Sequence, residues 1–483
     1  MNSLLNSTIW SAIQRFGGLV IGFVSNVVLA RLLCPEDYGI VGLIMVFIAI
    51  ADVLVDGGLG NALIQKKDIS QEDISTVFTS NLVISLFFFL LIFFSAPYIA
   101  SYIEIANFSL FLRVQSLMVL LRAFFLVHYS LMNKQMEFKK LAIINLIVSL
   151  ISTIIAISMA LCGCGVWSLI VRNLSLDLFS LIIYCWAVKV KLSLFINLTS
   201  FRKLFCFGIF VAIANLVESL YSNILSFILG KRFSVTELGY YNQAYSLEQI
   251  PVYSLTSILN QVFFPFLSKE QDNQQKMRAD VKNSILGMSF FIYPLMTFLI
   301  CFAQPIIVLL YSEKWLPSVP FFQILCTLGF TNFIYHLNRS IMKAVGKSKV
   351  LFFTQIISCV IGLLLIIISI SIGIYAVVAM VALNSIIGML IVSYYAGQYI
   401  NLNVYNQLKE VSFNLFLSLI IGVIVYAVFN GCGIHPLLLL PMAFLLFVFL
   451  YLFTHYILRS NSYKMVSSII LSHYMNKTTI NNG

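Results

Sequence analysis

Eight ionisable side chains stand inside long apolar runs of this chain: Arg15, Asp52, Asp56, Arg113, Arg122, Arg172, Asp177 and Glu218. Each costs about 3 kcal/mol within a lipid-embedded helix unless it meets a partner or water. A guanidinium pairs bidentately with phosphate oxygens, so a cleft lined by Arg15, Arg122, Arg172 and Arg113 would suit an anionic ligand such as a phosphate or diphosphate. Asp52, Asp56, Asp177 and Glu218 are candidates for holding a coupling ion, H+ or Na+. The opposing reading is that these charges pair with one another and hold helices together. Spacing favours a lined cavity: Thr8, Arg15, Gly22 and Asn26 recur along one stripe, as do Gln115, Arg122 and Tyr129, and Asp52 and Asp56 share a face one turn apart. Asp52 and Asp56 would then either bind the ion or neutralise Arg15. Glu248 and Arg339 fall near predicted helix ends, where long side chains snorkel.

Other chemistry finds little footing. The chain has no Walker loop, no HExxH pair and no GxSxG elbow, and GGLG at Gly57 to Gly60 lacks the strand and helix of a dinucleotide site. Nine cysteines are scattered, mostly in or beside apolar runs, and Cys162 and Cys164 have no matching ligand cluster, so neither a disulfide framework nor a metal site is expected. No catalytic residues and no cofactor beyond a coupling ion are expected, and transport fits better than an enzyme.

The elements that must position these charges follow from composition. Of 483 residues 60% are hydrophobic and 10% charged, against about a quarter charged in an ordinary soluble domain. The apolar runs are continuous rather than alternating, which predicts an all-α integral membrane protein and excludes a β-barrel. About fourteen helices are expected, near 8–33, 39–60, 77–100, 109–131, 141–162, 165–188, 205–230, 247–268, 284–311, 319–344, 350–371, 374–396, 411–430 and 437–458. The first of them is read as an uncleaved helix rather than a signal peptide. Gly18 and Gly22 have small-xxx-small spacing, for which close helix packing is the first reading.

The net charge of +11 sorts by side of the membrane. Twenty of the 29 basic residues fall in links on the side shared with the termini, and only Arg31, Lys231, Arg232 and Lys314 fall on the other. That bias puts both termini in the cytoplasm, so most of the charge marks topology and no nucleic acid partner is implied. Outward links are expected to be short, the longest being the one around Lys231.

An internal repeat divides the chain. ARLLCPEDYGI from Ala30 to Ile40 is echoed 200 positions later by GKRFSVTELGY from Gly230 to Tyr240, and GVWSL at Gly165 by GIYAV at Gly373 after 208. Two parallel blocks of six helices are predicted, 1–200 and 201–400, around a central cavity, with two added helices in 401–460 and a cytoplasmic tail in 461–483.

RLLCPEDYG at Arg31, DGGLGNALIQ at Asp56, GVWSL at Gly165, LGYYNQAYSL at Leu238, FFPFLSKEQD at Phe263 and EKWLPSVP at Glu313 resemble the polysaccharide-export flippases, within the superfamily of multidrug, oligosaccharidyl-lipid and polysaccharide exporters. The likeness runs from about residue 8 to about 400. It implies alternating-access movement of undecaprenyl-pyrophosphate-linked oligosaccharide, of the kind used for lipopolysaccharide, O-antigen or capsule, across a bacterial inner membrane. It also implies the lipid-linked substrate, membrane lipids and other polysaccharide-assembly proteins as partners, and Arg15 and Arg122 as matches to basic cavity residues. An ion-coupled multidrug exporter is the first alternative, with acidic residues dominating the cavity. An integral-membrane polymerase is the second, and it would need a long outward loop or a cytoplasmic catalytic domain.

Overall fold

A computed structural model describes residues 2–66, 68–188, 193–258, 273–431 and 434–467. These form helices and turns, with no strand among the described residues. Among the described residues twelve helices are long and apolar enough to cross a membrane, in keeping with the fold class expected. The seventh and eighth expected spans correspond to helices of 35 and 24 residues that lie outside those twelve. The total of fourteen stays an expectation.

The chain divides into two compact units, Met1–Asn242 and Gln243–Gly483. The first holds α1 (Asn2–Leu32), α2 (Pro35–Asp56), a short α3 (Leu59–Gln65), α4 (Gln71–Ile103), α5 (Phe108–Gln115), α6 (Leu117–Lys134), α7 (Phe138–Leu161), α8 (Val166–Ala187), α9 (Leu198–Arg232) and the start of α10 (Val235–Ile258). The second continues with α11 (Gln274–Cys301), α12 (Ala303–Tyr311), a 3-10 turn (Glu313–Ser318), α13 (Val319–Cys326), α14 (Gly329–Ala344), α15 (Ser348–Ser369), α16 (Ile374–Ile400), α17 (Val404–Phe429) and α18 (Pro436–Ile457).

Helix starts differ from the sequence reading for a local reason. Pro35 opens α2 at its first position, where its missing N–H goes unneeded. The Cys34 N–H donates to Asp37 Oδ2 at 2.8 Å. Two hundred residues on, the Glu237 N–H donates to Ser234 Oγ at 3.0 Å and starts α10 at Val235. Ser70 and Asp73 form a reciprocal capping box and start α4 at Gln71. The link around Lys231, expected to be the longest on its side, shrinks to two residues because α9 runs through Arg232. Lys231 itself pairs with Glu104 at 3.6 Å.

The matched links share local backbone features. Cys34 and Ser234 each precede a helix by one residue, and Gly165 and Gly373 are both helix N-caps with positive φ, 53° and 140°. Gly39 lies inside α2 rather than at a turn into it. A Cβ on Gly39 would stand 1.8 Å from the Val235 carbonyl oxygen, and one on Gly239 would stand 1.8 Å from the Pro35 carbonyl oxygen. The first turns of α2 and α10 therefore cross backbone to backbone at matching positions, a contact only glycine permits. A Cβ on Gly18 or Gly22, by contrast, would meet no described atom within 4 Å, because α1 turns Gly17 toward Leu146 of α7. The close packing read from their spacing does not occur there.

In the second unit the two last helices dock on α11. Asn414 Nδ2 donates to Ser289 Oγ at 2.7 Å, Gly422 lies against Thr297 and Cys301, and Phe447 packs edge-on to Phe298. A small residue, a polar clasp and an aromatic pair supply the close approach that apolar attraction cannot supply within lipid.

Candidate functional site

Three helices of the first unit bring three of the expected charges together. Asp52 sits on α2, Arg122 on α6 and Asp177 on α8, and these helices pack on one another. Arg122 Nε donates to Asp177 Oδ2 at 2.9 Å, and Arg122 Nη1 donates to Asp52 Oδ2. One guanidinium thus serves two carboxylates, which leaves a formal charge of −1. Asp52 Oδ1 is buried without a hydrogen-bond partner among the described residues.

The remaining expected residues go elsewhere. Arg15 lies on α1, which packs along α7, so the stripes of α1 and α6 belong to helices without a substantial mutual contact among the described residues. Asp56 ends α2 and accepts the Gly60 N–H, closing a turn in which Gly57 and Gly58 take φ of 49° and 71°. Arg113 donates to the Phe93 carbonyl at 3.1 Å and lies over the Phe93 ring at 4.8 Å. The Glu218 side chain lies outside the described residues, as does the FFPFLSKEQD segment.

Arg113, Arg172 and Arg339 are partly buried in spanning helices and lack acidic partners among the described residues. Arg172 on α8 has Tyr38 of α2 beside it, and its buried Nε has no hydrogen-bond partner there. Arg339 on α14 donates at 2.8 Å to both Tyr335 Oη and Gln355 Oε1, and its guanidinium lies 5.3 Å from the Tyr335 ring centroid. The sequence placed Arg339 at a helix end. In the structure it is partly buried and, among the described residues, held by neutral groups.

Glu248 was also missed. With α10 beginning at Val235 rather than near 247, this glutamate falls in the middle of the helix and is 0% exposed. The signal existed in the sequence: Ser234-Val-Thr-Glu237 is a capping-box pattern that announces the earlier start.

The chain belongs to a family described as polysaccharide biosynthesis proteins, whose model matches residues 28–320. Among its relatives is the teichuronic acid biosynthesis protein TuaB of Bacillus subtilis, 24% identical over 72% of this chain and 73% of that protein. Another is the lipopolysaccharide biosynthesis protein WzxC of Escherichia coli, 25% identical over 71% of this chain and 70% of that one. Among solved structures, the lipid II flippase MurJ in an inward closed conformation superposes with a TM-score of 0.73, covering 94% of this chain and 100% of that one at 18% identity. An inward-facing multidrug transporter of the MATE family gives a TM-score of 0.60 at 16% identity, covering 81% of this chain and 98% of that one. Together these place the chain as a multi-pass membrane protein with the helical fold of these transporters.

Proposed function

We propose that this protein flips lipid-linked oligosaccharide repeat units, carried on a polyprenyl diphosphate, from the cytoplasmic to the outer leaflet of a bacterial inner membrane by alternating access. The observation that carries the reading is that Arg172 and Arg339, like Arg113, stand partly buried in membrane helices without carboxylate partners among the described residues. A cation kept at that cost without an internal counter-ion suits a ligand that brings its own negative charge, as a diphosphate does. Family membership and the names of the relatives point to the same class of cargo. Both termini face the cytoplasm in this reading, following the placement of the lysines and arginines.

Transport rather than catalysis suits the links, which are too short to build a pocket around a saccharide. The multidrug alternative draws support from the acidic excess at Asp52, Arg122 and Asp177, but that cluster neutralises its own arginine and offers little to a large cation. The reading is tested by reconstituting the purified chain in vesicles with defined polyprenyl-diphosphate saccharides in the inner leaflet and following their arrival at the outer one. Movement that is lost in Arg172→Gln and Arg339→Gln variants supports it, whereas no movement of any such lipid by the native chain refutes it.

A further inference from the structure

Glu248 is a carboxyl group with no exposed surface and, among the described residues, no basic partner. Its Oε2 accepts a hydrogen bond from Gln249 Nε2 at 3.0 Å, while Oε1 is buried and has no partner among those residues. The titratable groups acting on it are Tyr245, on its own helix, and the fully buried Cys326 at the end of α13. Tyr311 of α12 stands by Gln243, on the same helix one turn and a half before Glu248. Tyrosine and cysteine are neutral at ordinary pH and bring no positive charge. Counting 13 residues from Val235 at 1.5 Å each, Glu248 lies about 20 Å along α10 from its start, in the middle of the helix. An ionised carboxylate there would have lost its water without gaining a cation, so the neutral acid is the form this setting holds.

A second feature bears on release. Pro251 lies inside α10 three residues after Glu248 and removes the N–H that would bond the Leu247 carbonyl. The helix is weakened within a turn of the acid.

We propose that Glu248 is a proton-carrying group of this protein: it is held as the neutral acid in this closed setting and gives its proton to water when α10 moves and wets Oε1. No other bond forms or breaks, and the carboxylate left behind takes a proton again before the pocket recloses. That this cycle drives saccharide movement rests on the function proposed above, whereas the protonation itself does not.

The test has two arms that separate those claims. Infrared spectra of the full-length chain in vesicles near neutral pH are compared with those of Glu248→Gln, whose neutral amide matches the neutral acid in size. The carbonyl stretch of one protonated carboxyl in apolar surroundings is expected in the native protein and its loss in the variant. No such difference, or an ionised carboxylate or Na+-bound carboxylate signal in its place, overturns the proposal. In the second arm, saccharide translocation is measured across a range of pH. Glu248→Gln is expected to lose the native pH dependence while keeping the native amount of folded protein, and an unchanged pH profile also overturns the proposal. If the native chain moves no saccharide at all, the functional reading fails and the infrared arm alone decides the proton site.

Discussion

The crossing of α2 and α10 gives a quantitative prediction. A side chain at Gly39 or Gly239 would begin 1.8 Å from a backbone oxygen, where real Cβ contacts essentially never fall below 3.0 Å. Gly39→Ala must therefore push the two backbones apart by about 1.2 Å or bend one of them. Overpacking of this kind costs about 1–3 kcal/mol, and the upper half applies because the obstructing atoms are backbone rather than flexible side chain. For a unit of this size about 2–3 kcal/mol corresponds to a fall of about 4–12 °C in unfolding midpoint. The two sites form one reciprocal contact, so the separation forced by either alanine also accommodates the other. The double variant is then expected to lose about as much as one single variant, a coupling of about 2–3 kcal/mol relative to additivity. Thermal unfolding of the purified chain in mild detergent, followed by intrinsic fluorescence, measures all four proteins. Gly22→Ala, at a glycine with no described neighbour within 4 Å, is the control expected to leave the midpoint unchanged. Single variants with native midpoints, or a double variant equal to the sum of the singles, would refute the crossing.

Further outcomes follow from the charges and turns. Arg122→Gln leaves two carboxylates side by side and is expected to cost about 3 kcal/mol, at the lower end for a broken buried pair because the arginine retains 33% exposure; immunoblots of membranes should show its loss. The neutral triple variant Asp52→Asn, Arg122→Gln, Asp177→Asn should restore that level. If it also restores export, Arg122 is structural, and if it folds without exporting, Arg122 meets the substrate. Arg339→Gln should lower surface polysaccharide about tenfold or more, the loss of one charge-assisted bond of about 1.5 kcal/mol, with unchanged membrane level. Gly57→Ala forces a side chain into φ of 49° and should destabilise by about 1–2 kcal/mol in the same unfolding measurement.

How much could be read in advance depended on the kind of interaction. The twelve qualifying spans, the family and the repeated links are properties of local apolar content and residue identity, and these the sequence carries openly. Helix starts were legible too, though only through capping patterns: Pro35 with Asp37, Ser70 with Asp73 and Ser234 with Glu237 fix ends that hydropathy alone placed several residues late. Missing the last of these misplaced Glu248 at a helix end.

Partners are another matter. In lipid a helix is apolar on nearly every face, so the periodicity that marks the inner face of a soluble helix fades, and stripes such as Arg15 with Gly22 tell which residues share a face but not what that face meets. Arg122 finds its two carboxylates 70 and 55 residues away along the chain. A basic, helical membrane protein with a few costly charges at depth follows from residue types and order, because insertion free energy acts residue by residue. Which of those charges cancel, as at Arg122, and which stand without a described counter-ion, as at Arg172, Arg339 and Glu248, emerges on folding, because electrostatic compensation depends on distance in space between residues far apart in the chain.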